Sequence, residues 1–106
     1  MMIVGDDFAG RTVELPVGQE MEVRLAENPT TGYRWSVSAA GAPACTLVRD
    51  APAGGGGRPG EGGEHGWVFA GAQEGDCDIL LVYRRPWETG AAAARSFRLH
   101  VRVTRP

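Results

Sequence analysis

Residues 97–103 alternate strictly between apolar and polar side chains within a longer alternating segment, residues 95–104. Phe97, Leu99, Val101 and Val103 form one face, and the residues between them are polar. A period of two is the spacing of a β-strand with one buried face, because successive side chains point to opposite sides of the strand. The segment therefore predicts a strand that packs one face against a core.

Other segments have the length and composition of strands, and none has those of a helix. No window of about 11 or more residues spaces its apolar side chains at the helical period without an interrupting glycine or proline. The predicted strands are 11–15, 19–25, 33–38, 44–49, 66–72, 76–84 and 95–104. Short strands separated by turn residues predict an all-β fold, an immunoglobulin-like antiparallel β-sandwich of about seven or eight strands.

The length and charge of the chain restrict its possible partners. With 106 residues, it is expected to form a single domain, residues 1–106, whose core buries roughly 60–65% of the unfolded surface. The formal net charge is −2, and all 11 basic residues are arginine. Nucleic-acid binding needs a clustered positive field, so we expect no nucleic-acid partner.

No segment is suited to a membrane or to export. No run approaches the ~18 apolar residues that span a bilayer, so no membrane partner is expected. The N-terminus carries Asp6, Asp7, Arg11 and Glu14 and has no apolar signal-peptide core. We expect a cytoplasmic protein if this is the full-length chain, and a periplasmic or secreted one if a signal peptide was removed. A monomer is expected, because no heptad pattern or long apolar edge is visible.

The cysteines and histidines do not form a recognisable site. Cys45 and Cys77 lack the spacing of a metal or redox motif, so no metal and no cofactor is expected. A cross-link between these two cysteines stays open. His65 lies in a glycine-rich loop and His100 on the outer face of the last strand, and neither has a predicted catalytic partner. We therefore do not expect an enzyme.

One polar segment between two predicted strands, here called the first loop, comprises Asn28, Pro29, Thr30, Thr31, Gly32 and Tyr33. Pro29 fixes its own φ and pushes Asn28 toward extended geometry, and Gly32 permits a positive φ before the strand begins. Tyr33 and Trp35 anchor that strand. A stiff polar tip of this kind is typical of a loop that carries function, and a structural turn is the alternative.

A second loop, Gly60, Glu61, Gly62 and Gly63, lies in the glycine-rich stretch 51–66. A phosphate-binding loop would need a following helix N-terminus or the lysine of a GxxxxGK[ST] pattern. Here a strand follows and the chain has no lysine. The remaining interpretation is a backbone without shielding side chains, which can pair with an extended partner.

A third loop, Arg85, Pro86 and Trp87, begins where the predicted strand 76–84 ends. Proline stiffens the segment, and a core position for Trp87 is the structural alternative. An exposed tryptophan next to an arginine on a stiff loop is typical of an interface hot spot.

The three loops are expected to share one end of the sandwich. Counted from segment 11–15, they follow the second, fourth and sixth predicted strands. Antiparallel strands alternate in direction, so these loops emerge at the same edge. A common binding surface follows from that arrangement.

The order and spacing of NPTTGY at 28–33, GEGG at 60–63 and RPW at 85–87 resemble the chagasin family of cysteine-peptidase inhibitors. The resemblance extends over nearly the whole chain. It implies an immunoglobulin-like β-sandwich whose three loops form a wedge in the active-site cleft of papain-like cysteine peptidases. Carried over by position, Thr30 would lie beside the catalytic cysteine, and Thr31 and Gly32 would shape the tip.

The resemblance also implies roles for the other two loops. Gly60, Gly62 and Gly63 would run along one side of the cleft. Arg85 and Trp87 would hold the other side, with Trp87 packed on an aromatic residue of the enzyme. The alternative is an immunoglobulin-like protein-binding module that has no effect on papain-like enzymes.

This chain departs from the family pattern in its second loop. The run 54–57, followed by Arg58 and Pro59, lengthens that loop. Glu61 and Glu64 add negative charge there, which would disfavour an acidic cleft.

Overall fold

The computed structural model describes residues 1–28, 31–51, 63–87 and 93–106. Within these ranges the chain forms eight strands and one short 3₁₀ turn, Asp6–Phe8. The strands are β1 (Met2–Val4), β2 (Thr12–Pro16), β3 (Glu20–Glu27), β4 (Arg34–Ala40), β5 (Cys45–Ala51), β6 (Gly63–Gly71), β7 (Gly75–Arg84) and β8 (Arg95–Thr104). None of the described residues belongs to a helix long and apolar enough to cross a membrane.

The strands form two four-stranded sheets packed as a sandwich, which confirms the predicted fold. The first sheet has the order β1-β3-β6-β5, and the second has the order β2-β8-β7-β4. Most neighbouring strands are antiparallel, as expected, but β1 pairs with β3 and β2 with β8 in parallel. Both parallel pairs involve the N-terminal segment, whose strands β1 and β2 each lie at an edge of one sheet.

All seven predicted strands are present; β8 has the predicted bounds, and the other six have shifted ends. The largest shift is at β6, which begins at Gly63 rather than at residue 66. Glycine weakens a strand, but Gly63 lies opposite Glu27 on β3, so pairing with a longer strand extends β6 into the glycine-rich sequence. Strand β1 was not predicted, because three residues are too few to show a period.

The core lies between the inward faces of the two sheets and follows the predicted alternation. Phe97, Leu99 and Val101 on β8 are fully buried and face the first sheet. The first sheet contributes Val4, Met21, Val23, Leu25, Trp67 and Phe69, each at most 1% exposed. Burial of each large apolar side chain stabilises the fold by about 1.5–3 kcal/mol, so these facing rows hold the sheets together.

The two cysteines are free thiols that meet between the sheets. Cys45 at the start of β5 and Cys77 on β7 have Sγ atoms 3.4 Å apart, within hydrogen-bond distance. Burial, aided by Cys77, raises the pKa of the Cys45 thiol to about 12, and burial also raises the pKa of Cys77. Both groups are therefore protonated at neutral pH, which makes them weak nucleophiles.

Strand register brings the ends that flank the three loops to one pole of the sandwich. Glu27, before the first loop, is opposite Gly63, after the second loop. Arg34, after the first loop, is opposite Arg84, before the third loop. This end is called the loop pole below.

The outer face of the second sheet carries a charged cluster away from the loop pole. His100 Nδ1 lies 2.9 Å from Asp78 Oδ1, and Nε2 lies 3.1 Å from Asp76 Oδ1. Arg102 Nε is 3.4 Å from the same Asp76 oxygen. Asp78 and then Asp76 raise the pKa of His100 above its ordinary 6.5. His100 and Arg102 lower the pKa of Asp76 below its ordinary 3.8.

This cluster predicts a pH dependence of stability. The contribution of protonated His100 is complete below its ordinary pKa of 6.5 and is lost as pH rises through the higher folded value. The contribution of Asp76 is present above its ordinary 3.8 and is lost as pH falls through the lower folded value. NMR titration should give His100 a pKa above 6.5, and Asp78→Asn should lower it more than Asp76→Asn. An unchanged pKa in both variants, as expected for the control Glu64→Gln on β6 of the first sheet, would contradict the cluster.

Candidate functional site

The described part of the first loop is held by hydrogen bonds from Thr31. The Thr31 backbone N–H and its Oγ1 hydroxyl both donate to the carbonyl oxygen of Asn28, at 3.2 Å and 2.8 Å. The Tyr33 N–H donates to Thr31 Oγ1 at 3.3 Å. The Thr31 side chain therefore links Asn28 and Tyr33, the first and last residues of the first loop. Pro29 and Thr30, predicted for the tip, lie outside the described residues.

The first and third loops are in direct contact through a glycine and a tryptophan. Gly32 has φ +83°, a region that favours glycine. A Cβ atom at Gly32 would collide with Cη2 of Trp87 and lie 3.3 Å from both Cζ2 and Cζ3. The edge of the indole ring therefore rests on the backbone of Gly32. Trp87 remains 66% exposed, so the predicted exposed position is confirmed and the core alternative is wrong.

Arg85 joins the same surface from the start of the third loop. Its Cζ lies 4.6 Å from the centre of the Tyr33 ring and 6.0 Å from that of Trp87. A guanidinium group over aromatic rings is stabilised by cation–π attraction. Pro86, between Arg85 and Trp87, is exposed. Because Arg85 contacts Tyr33 and Trp87 contacts Gly32, the third loop and the described end of the first loop form one surface.

The second loop contributes one described residue to this pole. Gly63 is the first residue of β6, is half-buried and pairs with Glu27. Gly60 and Gly62 lie outside the described residues. The structure thus brings together six predicted site residues: Asn28, Thr31, Gly32, Tyr33, Arg85 and Trp87, with Pro86 beside them and Gly63 across the neighbouring strand.

A buried carboxylate below these loops was not predicted. Glu27 is 2% exposed, and its Oε2 accepts a hydrogen bond of 2.7 Å from the Trp35 backbone N–H. Its Oε1 lies 3.2 Å from Nδ1 of His65. Glu27 is on β3, His65 on β6 and Trp35 on β4 of the other sheet. The carboxylate therefore links both sheets at the point where the first loop leaves and returns.

His65 is a buried strand residue, contrary to the expectation of a loop histidine without a partner. Its ring stacks on Trp67, with centroids 3.9 Å apart and planes 7° apart. Its Nδ1 faces Glu27, and its Nε2 lies 3.6 Å from Asp50 Oδ2 on β5. For its partner Glu27, the sequence did contain a signal of burial. The alternation of Met21, Val23 and Leu25 on β3 places residue 27 on the inward face. The strand was predicted to end at residue 25, which hid this position.

Stacked rings continue from the loops into the second sheet. Tyr33 stacks on Tyr83 with centroids 5.3 Å apart, and Tyr83 contacts Trp35 at 4.9 Å. Trp35 Nε1 donates to the Ala26 carbonyl oxygen at 2.9 Å. The Arg95 guanidinium lies 5.6 Å from the Trp35 ring and 2.9 Å from Asp6. These contacts fix the strands from which the first and third loops emerge.

An open cavity of about 420 Å³ lies at the foot of these loops. It is lined by Ala26, Glu27, Asn28, Gly63, Glu64, Tyr83 and Arg95. Among the described residues, no group of three histidine, cysteine or acidic side chains could hold a metal ion. The arrangement is suited to contact with another protein through a preformed surface, with Trp87 as the exposed aromatic group.

Gly32→Ala is expected to reduce binding at this surface by about tenfold, since a displaced anchor commonly costs about 1–2 kcal/mol. The new methyl group would both strain a positive φ and displace the Trp87 ring. The matched control is Gly18→Ala, which has φ +87° and no atom within 4 Å of the place that its methyl group would take. Both variants should lose similar stability in thermal denaturation, and only Gly32→Ala should change the binding constant. Equal binding by both would show that the contact with Trp87 is irrelevant.

Comparison with known proteins gives consistent matches over most of the chain. A family model described as chagasin family peptidase inhibitor I42 matches residues 14–101. Amoebiasin-1 of Entamoeba histolytica (strain ATCC 30459 / HM-1:IMSS / ABRM) is 36% identical over 102 residues, which cover 96% of this chain and 99% of that protein.

Solved structures support the same fold. The cysteine protease inhibitor EhICP2 from Entamoeba histolytica superimposes with a TM-score of 0.83 at 22% identity, covering 97% of this chain and 94% of that one. PbICP-C, solved in complex with falcipain-2, gives a TM-score of 0.63 at 17% identity, with 96% and 89% covered. At 22% and 17% identity, these similarities show a shared fold alone.

Proposed function

Because this chain belongs to the chagasin family and is a cysteine-peptidase inhibitor, we propose that it blocks the active-site cleft of papain-like peptidases with three loops, residues 28–33, 60–63 and 85–87. The observation that carries this proposal is the contact of Trp87 with Gly32, with Arg85 over the neighbouring Tyr33 ring. Two loops that are distant in sequence thereby present one surface.

The chemistry of the target suits such a surface. A papain-like cleft contains a thiolate–imidazolium pair and accepts extended backbone. In the proposed complex Thr30 lies beside the catalytic cysteine, where it offers a small hydroxyl side chain. We expect Thr31 to keep its structural role in the complex, because its hydroxyl already forms hydrogen bonds within the first loop.

The other two loops are proposed to hold the sides of the cleft. Gly60, Gly62 and Gly63 lie along one side, where a backbone without side chains approaches the enzyme closely. Arg85 and Trp87 lie along the other, and Trp87 packs on an aromatic residue of the enzyme. The relative PbICP-C was solved with falcipain-2, which supports a papain-like partner.

Preorganisation supports tight binding. The Glu27 contacts below the loops and the rings of Tyr33, Tyr83 and Trp35 fix the supporting strands. Loops that are ordered before contact lose little conformational entropy on docking, so a modest interface can give high affinity.

The test is a titration of a papain-like peptidase with this protein. We expect reversible loss of activity at one inhibitor per enzyme, with the inhibitor recovered intact by mass spectrometry. A serine peptidase, which has no cleft of this kind, serves as the control and should keep its activity. Slow cleavage of the protein with return of activity, or no inhibition of any papain-like enzyme, would contradict the proposal. The second outcome would favour an immunoglobulin-like binding module.

A further inference from the structure

Two arginines face each other on the outer surface of the second sheet at the loop pole. Arg34 at the start of β4 is directly opposite Arg84 at the end of β7, and both are exposed. The next pair along the strands, Trp35 and Tyr83, points toward the interior. The side chains of Arg34 and Arg84, here called the arginine pair, therefore share the outward face.

Repulsion between the two arginines lowers the stability of the fold. Within the described part of the chain, no ion pair offsets it. Directly opposite side chains on antiparallel strands have Cβ atoms about 4.5–5.5 Å apart, and like charges there are destabilising. The following outward residues, Ser36, Val82 and Ser96, are uncharged. The carboxylates of Asp76 and Asp78 lie further along β7 and contact other groups.

The position of the arginine pair connects it with the proposed inhibitory surface. Arg34 follows Tyr33 of the first loop, and Arg84 precedes Arg85 of the third loop. Other arginines at this pole have intramolecular roles, since Arg95 pairs with Asp6 and Arg85 packs on aromatic rings. The arginine pair is thus a local positive charge in a chain of net charge −2.

The negative charge of Glu64 does not cancel this patch, because Glu64 lies on the other face of the sandwich. Glu64 is exposed and opposite Ala26, whose neighbours Leu25 and Glu27 point inward. Glu64 therefore faces outward from the first sheet, whereas the arginine pair faces outward from the second. Glu64 and the arginine pair therefore lie on opposite faces of the loop pole.

We propose that the arginine pair is a docking surface for acidic side chains on the rim of the peptidase cleft, on the side that the third loop contacts. The inference rests on the proposed function and adds the charge of the partner. Charges at the rim of an interface act mainly on the association rate and on partner choice. An acidic rim on that side would accelerate encounter and orient the inhibitor, whereas a basic rim would slow it.

The experiment measures association rate constants over a range of sodium chloride concentrations with two papain-like peptidases. The rim of the cleft on the side of the third loop is acidic in one, the acidic enzyme, and basic in the other, the basic enzyme. The test variant is Arg34→Gln/Arg84→Gln. The control is Arg98→Gln/Arg105→Gln, which removes the same charge from exposed residues away from the loop pole. Thermal denaturation checks folding, and the test variant should be at least as stable as the wild type, because a repulsion is removed.

With the acidic enzyme at low salt, the test variant should associate about tenfold more slowly than the wild type, and the difference should vanish at high salt. The control should stay within about twofold at every salt concentration. With the basic enzyme the test variant should associate faster than the wild type. Equal effects of both double variants, or tight inhibition that does not respond to the arginine pair, would overturn this inference and leave the proposed function intact. Absence of inhibition by the wild-type protein would overturn both.

Discussion

Trp87→Ala is expected to weaken inhibition of a papain-like peptidase by about 30-fold or more, equivalent to about 2 kcal/mol. Trp87 is 66% exposed and rests on Gly32, so the free protein already presents the ring. Truncation would remove the proposed contact with the enzyme and leave the core unchanged, because Trp87 lies outside the core. Inhibition constants from progress curves measure the effect, and the thermal midpoint should equal that of the wild type.

Two further variants make this measurement specific. Trp87→Phe keeps an aromatic ring and should retain part of the affinity. Val48→Ala truncates another exposed apolar residue, 45% exposed on the edge strand β5, and should leave inhibition unchanged. Equal inhibition constants for Trp87→Ala and wild type would remove Trp87 from the interface.

Glu27→Ala is expected to lower the free energy of unfolding by roughly 3 kcal/mol, as when one partner of a buried polar network is lost. The Trp35 N–H would lose its acceptor, and His65 would lose its partner at 3.2 Å. Because these contacts hold the strands below the first loop, inhibition should weaken as well. Guanidinium denaturation gives the unfolding free energy, and the inhibition constant reports on the loops.

The controls separate burial from charge. Glu14→Ala removes an exposed carboxylate on β2 and should change stability by less than about 0.5 kcal/mol. Glu27→Gln keeps an acceptor for the Trp35 N–H and should be milder than Glu27→Ala. If Glu27→Ala were as stable as Glu14→Ala, the carboxylate would not support the fold.

The strands were predictable because their signal is local. Residues 95–104 show the alternation that becomes the buried row of β8, and a period of two is fixed by strand geometry. The direction of antiparallel strands likewise predicted that the three loops share one pole. Strand β1 escaped prediction, because Met2–Val4 is short and acquires its structure by pairing with β3.

The contacts within the site were less predictable, because they depend on distances in three dimensions. The motifs identified Gly32 and Trp87 separately, but nothing in their spacing places an indole ring on that glycine. Glu27 and His65 are 38 positions apart, and both residue types are usually exposed or only partly buried. Only the alternation of β3, extended by one step, would have placed Glu27 inside.

The arrangement of Glu27, His65 and Trp35 has a consequence for how such a protein can be altered. These three residues lie on β3, β6 and β4. The contacts that support the loop pole are therefore made by strand residues on either side of the second loop. The entropic penalty of a longer connection grows only slowly with its length. Insertions, deletions or randomised sequence within residues 54–60 should therefore be tolerated by the scaffold, which would allow new targets to be selected from a library without redesigning the rest of the chain.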